Sequence, residues 1–135
     1  MRKGELIGEL NSKTVATTVD DIAPTGIRLS TNGQGAFSGK FSAGHIETTK
    51  LFQKADGTLD WETKAIETTD EGDTLVIKGS GSGKVMGPTT LSWEGEFVYM
   101  TKSAKLDWLN RTKGWAEGTI DRSRNEVHAK VYSLK

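Results

Sequence analysis

TLVIKGSGSGKVMGPTTLSWEGEFVYM, residues 74–100, decides the fold. Leu75, Ile77, Gly79, Gly81 and Gly83 alternate with Val76, Lys78, Ser80, Ser82 and Lys84. After Val85-Met86-Gly87-Pro88-Thr89, Leu91, Trp93, Gly95, Phe97 and Tyr99 alternate with Ser92, Glu94, Glu96 and Val98. A period of two means a strand with one buried face and one wet face. The stretch therefore reads as two long antiparallel strands and a five-residue loop. That loop sets Lys84 opposite Thr90, Gly81 opposite Trp93, Ile77 opposite Phe97 and Leu75 opposite Tyr99. Aromatic rings laid over cross-strand glycines fill the missing side chains, and a glycine-bearing strand bends sharply enough for a small closed barrel.

Gly79-Ser-Gly-Ser-Gly-Lys84 imitates a phosphate-binding loop, but that motif needs glycine where Lys78 stands and Ser or Thr where Val85 stands. Pro88 also falls where the motif's helix would run. The segment is a strand.

Working outward, residues 4–20 read as one long or two short strands, and Ile22-Ala-Pro-Thr-Gly26 as a turn. Residues 27–52 read as two strands, with bends at Asn32-Gly33 and Gly39-Lys40. Apolar residues sit at odd positions through Phe37, Phe41 and Ala43, then move to Ile46 and Phe52, a phase change that implies a β-bulge near Gly44. Ala55-Asp56-Gly57 and Asp70-Glu71-Gly72-Asp73 are turn signals on either side of a strand bearing Leu59, Trp61 and Ala65. Ser103 caps a helical turn over residues 103–109, and residues 115–121 and 127–134 form a last hairpin. The whole predicts one all-β domain, residues 1–135, with about eight strands in an antiparallel up-and-down barrel or a sandwich.

Composition excludes several function classes. Lys plus Arg is 18 and Asp plus Glu is 18, so there is no basic footprint for nucleic acid or an anionic membrane. With no cysteine, thiol catalysis, thiolate metal sites and disulfides are ruled out, which fits a cytoplasmic location. The N-terminal segment lacks the apolar run of a signal peptide, and no stretch has the length of a membrane-spanning helix.

Gly4-Glu5-Leu6-Ile7-Gly8, the glycine-alternating strand and Ser103-x-Lys105-Leu106-x-x-Leu109-Asn110 carry a resemblance across most of the chain. It is similar to a family of small, functionally uncharacterised bacterial and archaeal proteins. The resemblance implies an eight-stranded barrel of the allene-oxide-cyclase and dirigent type, related in shape to the calycin or lipocalin barrels. It supplies no catalytic residues. The chain departs from the family pattern at Val131-Tyr132-Ser133-Leu134-Lys135, where that pattern has a tryptophan-containing terminus.

Candidate site residues follow from the faces. Trp61, Trp93, Phe97, Tyr99 and Trp115 are expected to point inward and to line either a filled core or a pocket for one small apolar or amphipathic molecule. Trp108, on the helical turn, is expected to plug one end. Glu117 shares the face of Trp115, so a buried carboxylate with a raised pKa could act as general acid. His45 lies beside the expected bulge and is the other candidate, whereas His128 alternates with Val127 and Ala129 and faces water. No His-x-His or Glu-x-x-His spacing supports a metal site, and no cofactor motif is present. Three readings stay open: a ligand-binding barrel, a cofactor-free cyclase or isomerase, and a filled structural barrel. Outer-face Val76, Val98 and Met100 suggest a homodimer or other homo-oligomer.

Overall fold

The computed structural model describes residues 2–135. Eight strands close into one antiparallel barrel in which each pairs with its sequence neighbours and β1 with β8. They are β1 (Lys3–Ala23), β2 (Gly26–Gly39), β3 (Ser42–Lys54), β4 (Thr58–Thr69), β5 (Thr74–Val85), β6 (Thr90–Thr101), β7 (Lys113–Asp121) and β8 (Glu126–Leu134). A 3-10 helix, Asp107–Arg111, sits between β6 and β7. Closure along Lys3 to Lys13 removes the free edges that an open sheet would leave.

The central hairpin forms with its register two residues from the expected one. Gly83 lies opposite Trp93, Gly81 opposite Gly95, Gly79 opposite Phe97 and Ile77 opposite Tyr99. The amides of Met86 and Gly87 both donate to the Thr90 carbonyl, which shortens the connection to Met86-Gly87-Pro88-Thr89. A shift of two preserves every face, so the inward set was read correctly while its partners were not.

The rings cover glycines both in the directly paired position, as Phe97 does Gly79, and on the strand beyond. Trp61 stands opposite Gly81 and reaches across it to Gly95. A Cβ on Gly95 would meet Trp61 Cζ2 at 2.5 Å, and one on Gly118 would meet Trp93 Cε2 at 2.8 Å. Small residues are thus required wherever a tryptophan lies flat against the next strands.

No bulge occurs at Gly44, because β3 pairs without interruption on both sides. The irregularities are in β1, between Leu6 and Gly8, between Thr14 and Ala16, and between Val19 and Asp21. Ile7 and Leu10 consequently both face inward although they are three residues apart. Asn32-Gly33 is uninterrupted strand, and the bend falls at Gly39–Phe41.

The helical turn lies over Asp107–Arg111, a few residues later than expected, and Ser103 accepts a hydrogen bond from the Leu106 amide ahead of it. Leu106 and Leu109 close this end of the barrel, Leu109 with no exposed surface. Trp108 is half-buried at the rim, with the Lys40 ammonium 5.5 Å from its ring, so the leucines provide the plug.

Candidate functional site

The barrel encloses a cavity of about 390 Å³. Leu109 lies at its closed end, and the exposed residues Thr17, Arg122 and Asn125 mark the end open to solvent. One wall is aromatic: Trp61, Trp93, Phe97 and Tyr99 all line the cavity. Trp61 meets Trp93 edge-on at 5.3 Å and Phe97 at 5.7 Å between ring centres. Edge-to-face packing of this kind holds the rings in place without filling the lumen.

Trp115 and Glu117 stand elsewhere. In β7 the inward positions are Ala116 and Ile120, which line the cavity, and the glycines at 114 and 118. Trp115 pairs with Glu96 and Tyr132 on the outer face, and Glu117 forms an outer ion pair with Lys3. The reason is volume: the rings of Tyr99 and Trp93 already occupy the space in front of positions 114 and 118, so only glycine fits there. Neither residue reaches the cavity.

A polar patch adjoins these rings, and it is built by β3 and β4. Odd positions of β3 continue inward through Ala43, His45, Glu47, Thr49 and Leu51. In β4, Thr63, Ala65 and Glu67 do the same. The regular register sets His45 opposite Glu67 and Thr49 opposite Thr63. His45 Nδ1 lies 2.8 Å from Glu67 Oε2, and His45 Nε2 lies 3.0 Å from Glu47 Oε1. Thr49 donates to Glu47 Oε2 at 2.6 Å, with Thr63 2.8 Å behind it. His45 is 6% exposed and Glu67 4%, so these contacts are made out of bulk water.

Burial opposes a charged imidazole, but the hydrogen bonds and charges of Glu47 and Glu67 outweigh it and raise the His45 pKa to about 9. For Glu47, burial pushes the carboxyl up, while His45 and Thr49 more than reverse this and lower it. Tyr99 nearby is held protonated by burial and by the Glu67 charge. His45 was therefore a sound candidate for the interior, whereas Glu47, Thr49, Thr63 and Glu67 were missed. His128 faces outward and contacts Asn11 and Glu126. Among the described residues no group of acidic, His or Cys side chains has the arrangement of a metal site. No helix is long and apolar enough to cross a membrane.

Fold and site define a class: a closed eight-stranded antiparallel barrel whose cavity is lined by aromatic rings and by a buried histidine–carboxylate cluster. No protein-family model matches the chain, and no curated protein matches it. Solved structures do. A Clostridium acetobutylicum protein of unknown function aligns with a TM-score of 0.87 at 15% identity, over 100% of both chains. A conserved Rhodopseudomonas palustris protein of unknown function aligns at 0.83 and 13%, over 97% of this chain and 96% of that one. An enzyme from Penicillium herquei aligns at 0.66 and 17%, over 98% of this chain and 96% of that one. At these identities the likeness is one of fold.

Proposed function

We propose that this barrel binds one small apolar or amphipathic molecule inside its cavity. The observation that carries the reading is the lumen itself: about 390 Å³ lined by Trp61, Trp93, Phe97 and Tyr99, within the size range of small-molecule sites. The rings supply apolar area, and the His45 cluster supplies the few polar groups that would orient a ligand. The likeness to allene-oxide-cyclase-type barrels drawn from the sequence is compatible with such a cavity. Native mass spectrometry of gently purified protein, together with titration of N-phenyl-1-naphthylamine against tryptophan emission, tests the proposal. The expected result is a co-purifying small mass or saturable 1:1 uptake of the probe. A bare protein that also leaves the probe in solution overturns it.

A cofactor-free isomerase or cyclase is the second reading, favoured by the histidine–carboxylate pair facing the lumen. Such a pair can move a proton within a bound substrate held in a reactive conformation.

The outer face motivates a homodimer. Ile46, Ile66, Val76 and Met100 are paired strand to strand into one exposed row across β3 to β6. Lys64 and Lys78 lie on one side of that row, and Asp70, Glu71 and Asp73 in the β4–β5 turn lie on the other. A two-fold axis along the row brings the basic side of one copy onto the acidic side of the next while burying the four apolar side chains.

A further inference from the structure

We infer that the molecule taken up by the cavity carries a protonated amine, or a comparable cationic nitrogen, at the end held by the His45 cluster. This rests on the ligand-binding reading above and adds the chemical class of the ligand. Both ring nitrogens of His45 are within hydrogen-bond distance of a carboxylate oxygen, so each contact needs one proton between its two atoms. An imidazolium between two carboxylates satisfies this. So does a neutral imidazole that donates to one carboxylate and accepts from the other side chain as a carboxylic acid. Either way, with Glu67 Oε1 unprotonated, the trio of His45, Glu47 and Glu67 carries one net negative charge, because two carboxylates face a single additional proton.

Among the described residues no lysine or arginine neutralises that charge, since neither Glu47 nor Glu67 forms an ion pair with one. Arg122 is the cation lining the cavity, but it stands at the open end and donates to Gln53. The threonine-rich wall offers Glu47 the hydroxyls of Thr49 and Thr63 but no cation, while Glu67 Oε1 accepts no hydrogen bond from the described residues. An uncompensated charge in a low-dielectric pocket is costly unless a partner arrives.

Two further features point to an occupant that arrives from the lumen. Ser12, 5% exposed and lining the cavity, has an Oγ without any hydrogen-bond partner. It falls in the same cross-strand row as the cluster, through Gly35 to His45 and Glu67. A buried hydroxyl with no partner, on the level of an unneutralised carboxylate, is an incomplete polar lining. The aromatic wall supplies the other feature. Trp61, Phe97 and Tyr99 line the same lumen, and aromatic rings attract ammonium groups. A carboxylate joined to aromatic faces selects a cation with an apolar body over a neutral or anionic one.

A matched series distinguishes this from the broader reading: 1-naphthylmethylamine, 1-naphthylmethanol and 1-naphthoic acid, titrated calorimetrically at pH 7 into the full chain. The expected result is amine affinity about tenfold or more above that of the alcohol, as a charge-assisted hydrogen bond provides, with the acid weakest. Glu67→Gln closes the gap, so that the amine and the alcohol bind that variant with equal affinity. If that variant fails to fold, Glu47→Gln removes the same net charge and is expected to narrow the same gap. Alcohol or acid binding as tightly as the amine overturns the cationic assignment and leaves the cavity reading standing, as does an amine preference that survives the glutamine variant. No binding of any of the three removes the cavity reading and this inference together.

Discussion

His45 is held charged by Glu47, two residues along β3, and by Glu67, directly opposite on β4, and its contribution to stability is therefore tied to pH. Its pKa rises from the ordinary 6.5 to about 9 on folding, so the stabilisation is fully present below pH 6.5 and is lost as pH climbs through 9. A shift of that size corresponds to about 3 kcal/mol. Glu47 works in the opposite sense: its depressed pKa gives stability that is present above the ordinary 4.5 and lost as pH falls through the lowered value. His45→Gln, which cannot take the proton, should cost about 3 kcal/mol at pH 6, with the difference from the parent shrinking by pH 10. Urea unfolding at the two pH values measures this, and a constant difference would show that the imidazolium contributes nothing as a charge. The residue itself was visible in the sequence for the wrong reason. A break in apolar alternation at Gly44 suggested a bulge, yet His45, Glu47, Thr49 and Leu51 simply keep the odd phase of Phe37, Phe41 and Ala43. Polar side chains at odd positions looked like a change of face because inward positions were assumed to be apolar. Leu51, still odd and buried, was the available signal.

The strands differ greatly in length, and this is an element-scale property. β1 runs for 21 residues and β2 for 14, whereas β7 and β8 have 9 each. β8 accompanies β1 only as far as Lys13, so residues 15–23 are paired with β2 on one side alone. Val15, Val19 and Ile22 are exposed along this overhang. Hydrogen exchange should divide within β1: amides of residues 8–13 protected, and those of residues 15–23 that point away from β2 exchanging rapidly. Uniform protection over residues 15–23 would mean that another strand covers this edge in solution. Element existence was legible here because period-two patterning and turn residues such as Ala55-Asp56-Gly57 act locally. Register was not. It depends on which backbone groups close the turn, as with the two amides on the Thr90 carbonyl. The face of β7 was misread for a related reason: large residues were assigned inward, but Trp93 over Gly118 shows that the neighbouring strand decides how much room remains.

At the scale of the molecule, the proposed dimer predicts that Val76→Lys, placed in the middle of the exposed apolar row, converts dimer to monomer in sedimentation equilibrium without altering the circular dichroism. A parent protein that is monomeric at micromolar concentration would remove the proposal. The same barrel topology has a temporal side. β1 is the first strand to be synthesised and β8 is the last, yet these two are hydrogen-bonded partners. Until residues 126–134 leave the ribosome, the inner edge of β1 has no mate, and the carboxylates of β3 and β4 face an open trough instead of a lumen. The charged pocket thus comes into being only in the last step of closure, and a ligand that neutralises it would act on the growing chain as a template for completing the ring.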